Sequence, residues 1–301
     1  MTPARPCPTV TLMQQESIGN AIRNASTTAS PEVGLQAAYL ELLKKCLTFA
    51  LWEARDGSMI GRSARWKARI KQMLGLVSQD PSASRIQQEL RNDGLDWPVL
   101  AHTMIGMKRL NNVQFCVEEV LRRGVPGDLI ETGVWRGGAT ILMRGILKAY
   151  GVKDRCVWVA DSFEGLPPPD TEKYPADSKD IHHTFKPLAV SAEEVRANFE
   201  AYGLLDDQVC FLKGWFKDTL PAAPIQQLAV VRLDGDMYES TMDGLTHLYP
   251  KLSAGGYLIV DDYGALAGCR KAVEDYRQTH RITEPIQSIG SGGGAFWQKV
   301  R

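Results

Sequence analysis

The sequence shows no excess of charge of either sign. It has 35 lysine and arginine residues against 35 aspartate and glutamate residues in a chain of 301. Proteins that bind nucleic acid usually carry clustered surplus basic charge, because they must neutralise phosphate groups. We therefore expect no nucleic-acid partner. A neutral chain of this composition suits either a small-molecule enzyme or an oligomer.

Paired cysteines and long apolar runs are also absent. The six cysteines are scattered, with none of the close spacings of a zinc site or of a disulfide framework. No apolar run approaches the roughly 20 residues that a membrane helix needs, and Met1–Asn24 has no secretory signal pattern. These absences predict a cytoplasmic protein with free thiols and no membrane association.

Changes in composition divide the chain into three parts. Residues 1–30 are rich in Pro, Thr, Ser, Ala and Asn and are expected to form a loose leader. Residues 31–97 predict an N-terminal helical extension, with an amphipathic helix over Glu32–Arg55 and a basic, apolar-striped segment over Arg62–Leu76. Residues 98–301 predict the main domain.

Short apolar runs alternate with helical patterns in this main domain. The predicted strands are Asp128–Thr132, Cys156–Ala160, Val209–Leu212, Leu228–Leu233 and Tyr257–Val260, followed by an antiparallel pair within Ile282–Ile289 and Gly294–Val300. The predicted helices are Met107–Arg123, Ala139–Tyr150, Ala192–Tyr202, Tyr238–Leu252 and Gly268–His280. This alternation indicates an α/β fold with a seven-stranded, mostly parallel sheet and helices on both faces. Such sheets bind ligands at the carboxyl ends of their strands.

A loop with two glycines follows the first predicted strand and opens the next helix. It contains Gly133 and Gly137, separated by three residues. Glycine lets a ligand approach the backbone, and a helix N-terminus offers N–H groups to a carboxylate. Glu131, at the strand end, can accept a hydrogen bond from a cationic amine. The loop lacks both the dinucleotide pattern and the P-loop ending, so it favours an amino-acid-bearing nucleoside, although glycine pairs also occur in purely structural turns.

An acidic residue ends the second predicted strand. Asp161 stands 28 residues after Gly133, where Rossmann-like folds place an acid that binds ribose hydroxyls, usually at a spacing of about 20. The alternative is a structural cap for the turn at Phe163. Trp215, after the third strand, can stack on an adenine ring or anchor the core.

Four aspartates at the ends of two later strands are the most informative feature. Asp234 and Asp236 follow the fourth strand, and Asp261 and Asp262 follow the fifth. Carboxylates this close repel one another, so we expect a compensating cation. Oxygen ligands suit Mg²⁺ or another hard divalent ion, which would bind a substrate hydroxyl and lower its pKa. Without a metal, the four would be turn-capping aspartates.

Roles within this group follow from the same reasoning. Asp234, Asp261 and Asp262 are the predicted metal ligands. Asp236 is the predicted catalytic base, and an exchange of roles between Asp234 and Asp236 stays open. A long proline-rich insert over Gly165–Pro187 predicts a lid or substrate loop, and its two histidines are expected to be solvated.

Six stretches between residues 100 and 301 resemble the macrocin O-methyltransferase family. They are His102–Gly106, Val125–Gly138, Val159–Phe163, Gly214–Asp218, Leu233–Thr241 and Gly255–Tyr263. The resemblance implies a Rossmann-like class I methyltransferase fold, S-adenosylmethionine as methyl donor, and Mg²⁺ dependence. It also implies a small-molecule acceptor, a sugar hydroxyl of a glycosylated natural product. Members form oligomers through N-terminal helical segments, which implies a homo-oligomer.

The expected cofactor site combines the resemblance with the loops described above. Its residues are Thr103, Met104, Glu131, Thr132, Gly133, Val134, Trp135, Asp161, Ser162, Lys213, Gly214, Trp215, Phe216 and Asp234. Two other function classes stay open. An NAD(P)-dependent oxidoreductase shares the fold but not the spacing of the glycines, and a non-catalytic nucleoside-binding module would have no use for clustered carboxylates.

Overall fold

The computed structural model describes residues 31–52 and 88–301. The predicted leader and the basic segment over Arg62–Leu76 lie outside these residues. Of the predicted helical extension, the structure describes one long helix, a short turn at Ala50–Trp52 and a helical segment at 88–92.

The helices and strands follow the predicted alternation. The helices are α1 (Pro31–Leu47), α2 (Gly106–Arg122), α3 (Gly138–Ala149), α4 (Ala192–Ala201), α5 (Phe216–Thr219), α6 (Tyr238–Leu248) and α7 (Ala267–His280). The strands are β1 (Asp128–Thr132), β2 (Val157–Asp161), β3 (Val209–Lys213), β4 (Leu228–Leu233), β5 (Leu252–Val260), β6 (Gln287–Ile289) and β7 (Gly294–Gln298).

The seven strands form one sheet in the order β3-β2-β1-β4-β5-β7-β6. Strands β1 to β5 are parallel, and β7 is antiparallel to both of its neighbours. The chain winds outward from β1 to β3 and then returns to place β4 on the other side of β1. This reversal creates a crevice at the carboxyl ends of β1 and β4, where open α/β sheets bind ligands. The predicted fold class is confirmed.

Helices cover both faces of the sheet. One apolar layer joins the sheet to α1, α2, α3 and α4, and a second joins it to α6 and α7. All six residues of β4 are buried, as expected for a central parallel strand whose two faces are both covered. The helix α1 belongs to the first layer, since Leu40 and Leu47 are fully buried there.

Several predicted boundaries differ from the structure by four residues or more. The helix predicted to reach Leu252 ends at Leu248, since Pro250 lacks an N–H, and a short turn at Tyr249–Lys251 follows. Strand β5 starts at Leu252, not at Tyr257. Leu252 already pairs with Leu228 of β4, and after a shift in register Tyr257 pairs with Val230. The first helix ends at Leu47, eight residues short of its predicted end, and the left-handed Phe49 follows it.

The described residues also bear on the expectations of free thiols and of no membrane helix. Their five cysteines form no disulfide. None of the described helices combines the length and the apolar character needed to cross a membrane.

Candidate active site

A cavity of about 460 Å³ lies at the carboxyl ends of the parallel strands. Its volume falls within the range of about 300–1,000 Å³ typical of ligand pockets. The loops after β1, β2, β4 and β5 all line it, together with the segment before α2 and the insert after β2. The glycine loop, Asp161 and the four aspartates therefore share one enclosure.

The glycine loop touches the loop after β4. Gly133 has a φ of 80°, and a Cβ atom at this position would lie 1.6 Å from the carbonyl oxygen of Asp234. Only glycine fits such an approach, because the obstructing atom belongs to the backbone. Gly133 therefore keeps the loops after β1 and β4 in direct contact.

The segment before α2 closes over the start of α3. The Gly138 N–H donates to the carbonyl of His102 at 3.0 Å. The Arg136 guanidinium donates to the carbonyls of Val99 and Ala101, each at 2.9 Å. One of the helix N–H groups that we expected to face a ligand is thus used within the protein. The same bonds bring Thr103 and Met104 to the cavity wall.

Asp161 combines the two roles considered for it. Its Oδ2 accepts a hydrogen bond from the Val134 N–H at 2.7 Å, and its Oδ1 accepts one from the Phe163 N–H at 2.7 Å. The carboxylate therefore caps the turn and fixes the glycine loop. Ser162 Oγ also lies 3.4 Å from Oδ1. Asp161 lines the cavity, and a carboxylate offers about four acceptor sites, which leaves capacity for a ribose hydroxyl.

Glu131 is buried beneath the glycine loop. Its Oε1 is ion-paired with Arg232, whereas its Oε2 is buried with no hydrogen-bond partner among the described residues. Burial raises the pKa of Glu131 to about 8, and Asp234 and Asp261 add to the effect although Arg232 opposes it. A buried acceptor without a partner is costly, so this oxygen suits a donor group on a ligand.

The four aspartates converge as predicted. Oxygens of Asp234, Asp261 and Asp262 lie within 4.8 Å of one another, and the Asp236 N–H donates to Asp262 Oδ2 at 3.3 Å. Burial, followed by repulsion from Asp236, raises the pKa of Asp262 well above its usual range. Burial and then Asp261 raise the pKa of Asp234, and burial and then Asp234 raise the pKa of Asp236 to about 7.

Two buried arginines compensate part of this charge. Arg232 is fully buried and pairs with Glu131, Asp234 and Asp261. Arg109, from α2, pairs with the other oxygen of Asp261. The two guanidinium groups thus pair with three of the five carboxyl groups, Glu131, Asp234 and Asp261, whereas Asp236 and Asp262 form no ion pair within the described residues.

The sequence contained a signal for one of these arginines. Arg232 is the single charged residue of β4, a strand that is otherwise apolar, and a buried cation requires buried acids. No comparable signal marks Arg109, whose partner is 152 positions away in the chain.

The insert after β2 forms one wall of the cavity. His182, expected to be solvated, is half-buried, lines the cavity and contacts Asp180 Oδ2 through Nδ1 at 2.7 Å. Trp97 packs edge-on against Phe185 with ring centroids 5.6 Å apart. The expectation fails for His182 because Trp97, from the segment before α2, shields this part of the insert. It holds for His183, which is exposed.

Most of the predicted site residues line the cavity. Those that do are Thr103, Met104, Glu131, Gly133, Val134, Trp135, Asp161, Ser162, Trp215, Phe216, Asp234, Asp236, Asp261 and Asp262. Thr132, Lys213 and Gly214 do not. Thr132 is buried within β1, and Lys213 is exposed at the end of β3, an edge strand.

Backbone strain concentrates at this site. Trp135, Phe163 and Asp236 adopt positive φ angles of 48°, 59° and 61°. Residues other than glycine rarely adopt this backbone conformation. Each residue lies in a loop that lines or supports the cavity. Strained residues persist where the surrounding structure holds them, and they cluster at functional sites.

Comparison with known proteins identifies the family. The macrocin O-methyltransferase (TylF) family matches residues 36–299. The chain belongs to this family. It is therefore an S-adenosylmethionine-dependent O-methyltransferase, and the resemblance seen in its motifs is confirmed.

Two relatives illustrate how far the similarity extends. The demethyldecarbamoylnovobiocin O-methyltransferase of Streptomyces niveus is 55% identical over 241 residues, which cover 77% of this chain and 92% of that protein. The mycinamicin III 3''-O-methyltransferase of Micromonospora griseorubida is 48% identical over 273 residues, which cover 90% of this chain and 99% of the relative.

Solved structures agree with the fold. The O-methyltransferase NovP superposes with a TM-score of 0.77 at 50% identity, covering 88% of this chain and all of that one. The calicheamicin methyltransferase CalS11 superposes with a TM-score of 0.54 at 19% identity, covering 74% of this chain and 94% of that one. At that identity the second likeness supports the fold alone.

Proposed function

We propose that this methyltransferase acts on a sugar hydroxyl of a small glycosylated natural product, with the help of a divalent cation. One observation carries the proposal. The glycine loop and the acidic cluster touch, at Gly133 and Asp234, within a single cavity. A methyl donor on the glycine loop would therefore lie beside the carboxylates. The relatives support the acceptor class, because one of them, from Streptomyces olivaceus, is named as the 4'-O-methyltransferase of a rhamnosyl-tetracenomycin.

The residues of the acidic cluster fit a hard divalent ion such as Mg²⁺. Asp234, Asp261 and Asp262 offer carboxylate oxygens within 4.8 Å of one another, and oxygen ligands are what Mg²⁺ prefers. Burial, with added repulsion between the neighbouring carboxylates, raises the pKa values of Asp234 and Asp262, and a bound cation would favour their charged forms. Such an ion, when bound, polarises a hydroxyl oxygen and lowers its pKa.

The ion pairs distinguish the two candidate bases. Asp234 pairs with Arg232 at 2.8 Å, whereas Asp236 has no ion pair within the described residues. Asp236 therefore keeps its carboxylate available for a proton, and we assign it as the general base. Its left-handed backbone and the bond from its N–H to Asp262 hold it at the cavity wall.

The remaining residues position the donor. Glu131 Oε2 would accept from the amino group of S-adenosylmethionine, Asp161 would accept from its ribose, and Trp215 or Phe216 would contact the adenine. Methyl transfer is an in-line displacement, so catalysis depends mainly on aligning the acceptor oxygen with the methyl group.

Replacement of the base tests this proposal. Asp236→Asn should lower turnover by about 10²- to 10⁴-fold, while calorimetry shows nearly unchanged affinity for S-adenosylhomocysteine. Demethyldecarbamoylnovobiocin and mycinamicin III, the acceptors named for the relatives, serve as probes with mass detection of methyl transfer. Asp218→Asn, at an exposed site on α5, is the control. Unchanged turnover in Asp236→Asn would refute the assigned base.

Removal of the metal tests the proposed role of the divalent cation. Dialysis against EDTA should abolish turnover, and added Mg²⁺ should restore it. Full activity after EDTA would refute the divalent cation but not the methyl transfer.

Binding of NAD⁺ in place of S-adenosylhomocysteine would revive the oxidoreductase alternative. The homo-oligomer and the cytoplasmic location stay predictions, and the mass of the protein in solution tests the first of them.

A further inference from the structure

We propose that Asp177 is a positioning residue. It holds the insert, which lines the cavity, in place relative to the loop that contains Asp234 and Asp236. This inference rests on the proposed function, because it assigns the insert to the acceptor side of the methyl-transfer site. Asp177 lies in the middle of the insert, in the short turn Pro175–Asp177. Nothing in the sequence pattern distinguished it from the other acidic residues of the insert.

The Asp177 carboxylate is buried against the start of α6. Only 2% of the residue is exposed. Its Oδ1 accepts a hydrogen bond from the Tyr238 N–H at 2.6 Å, and its Oδ2 accepts one from the Glu239 N–H at 3.2 Å. Met237, the residue at the N-cap of α6, makes no side-chain capping bond. The cap of α6 is thus supplied by a residue 61 positions earlier in the chain.

This cap couples two parts of the site that are far apart in sequence. The helix α6 begins directly after the loop that contains Asp234 and Asp236, so a group fixed to its first N–H groups is also fixed relative to that loop. A carboxylate at a helix N-terminus is favoured by the helix dipole as well as by the hydrogen bonds. The rings of Tyr174 and Tyr238 pack beside it, with centroids 5.7 Å apart.

Gly268 packs closely against the Asp177 carboxylate. A Cβ atom on Gly268, in the first turn of α7, would lie 2.5 Å from Asp177 Oδ1. Gly268 therefore permits the carboxylate to reach α6. This gives a second way to disturb the contact without changing Asp177 itself.

The insert lines the cavity through other residues. Leu166, Asp170 and His182 face the cavity, whereas the proposed donor contacts at Glu131 and Asp161 lie on β1 and β2. A loosened insert should therefore alter the space for the acceptor more than the donor site. This difference separates positioning from general stabilisation of the fold.

Three variants test the coupling. Asp177→Ala removes both acceptors, Asp177→Asn keeps one oxygen, and Gly268→Ala pushes the carboxylate away from α6. With the probe acceptor that the wild type methylates, we expect kcat/KM to fall about five- to tenfold in Asp177→Ala, which corresponds to transfer of the roughly 1 kcal/mol of one helix cap to the acceptor site. Most of the fall should lie in the acceptor KM. Gly268→Ala should resemble Asp177→Ala, and Asp177→Asn should lie between it and the wild type.

Ser191→Ala is the matched control. Ser191 caps α4 by accepting from the Glu194 N–H at 3.1 Å, so its loss removes a helix cap that does not join the insert to α6. Both alanine variants should lose thermal stability to a similar extent. Only Asp177→Ala should raise the acceptor KM. Equal kinetic effects in the two variants, or no kinetic effect in Asp177→Ala, would overturn the proposal.

A second measurement tests the coupling without requiring that a probe acceptor is methylated. Hydrogen exchange at residues 165–188 should accelerate in Asp177→Ala and Gly268→Ala but not in Ser191→Ala, while calorimetric affinity for S-adenosylhomocysteine stays within about twofold of the wild type. Wild-type exchange rates in Asp177→Ala would overturn the coupling. Wild-type protein that binds S-adenosylhomocysteine but methylates no probe would instead count against the proposed acceptor class.

Discussion

The cavity has a donor half, formed by residues 131–138 and 161–163, and an acidic half, formed by residues 234–237 and 261–262. The donor half is shaped by its backbone. At Gly133 the backbone of Asp234 lies too close for any side chain, and Asp161 accepts from the Val134 N–H of the glycine loop and from the Phe163 N–H of its own turn. The acidic half is shaped by charge, because Asp261 pairs with both Arg232 and Arg109, and Asp234 pairs with Arg232.

This difference shows how one site meets two chemical demands. A donor with a fixed shape is bound by loops whose geometry is fixed, which requires glycine and backbone hydrogen bonds. A hydroxyl that must lose a proton requires negative charge, and negative charge in a buried site requires cations. Arg232 links the halves, since it pairs with Glu131 on one side and with Asp234 and Asp261 on the other.

The largest effect is expected when this link is removed. Arg232→Met leaves three carboxyl groups without their shared cation, and breaking a buried ion pair costs about 3–5 kcal/mol. Urea unfolding measures the loss. Arg144→Met, which removes a pair with the partly exposed Asp206, should cost about 1 kcal/mol. Similar losses in the two variants would mean that charge does not hold the acidic half together.

A smaller effect is expected from a change in the donor half. Gly133→Ala places a Cβ atom against the Asp234 carbonyl oxygen and should cost about 2–3 kcal/mol. It should also weaken S-adenosylhomocysteine binding by more than about tenfold. Gly151→Ala is the control, because Gly151 also has a positive φ of 66° but nothing within 4 Å of the added carbon. Retained binding in Gly133→Ala would show that the donor half tolerates movement.

The smallest effect is expected on the pH dependence of stability, through Glu131, which pairs with the linking Arg232. With a pKa of about 8 in the native protein against an ordinary 4.5, Glu131 binds a proton that the unfolded chain releases in this range. Stability should therefore decrease as the pH rises toward 8. In Glu131→Gln this decrease should be smaller by about 1–2 kcal/mol between pH 6 and 8. Urea unfolding at several pH values measures it, and parallel curves for the two proteins would contradict the raised pKa.

Much of the fold could be predicted because its elements are strongly periodic. The strand β4 and the helix α2 were predicted to within one residue, since apolar runs and amphipathic spacing depend on nearby residues. The start of β5 was missed, because Ser253 to Gly256 lie at an irregularity between Leu252 and Tyr257, which both pair with β4, and Gly255 and Gly256 bond to the distant Lys299. Tertiary pairing overrides local preference in such cases.

The site divides along the same line. Residue types at strand ends predicted the glycine loop, Asp161 and the four aspartates, because parallel strands bring their carboxyl ends to one edge. The contacts of Arg109 and Asp177 were not predictable, because they join residues 152 and 61 positions apart whose approach no local pattern encodes.

By itself, the sequence determined the order of strands and helices, the residues at the strand ends and the surplus of acid among them. Only the tertiary structure decided which carboxylates are paired with arginine and which stay available, and which part of the insert caps α6. The physical reason is that periodicity and turn chemistry act over a few residues, whereas the balance of buried charge and the closing of a cavity depend on groups brought together by folding.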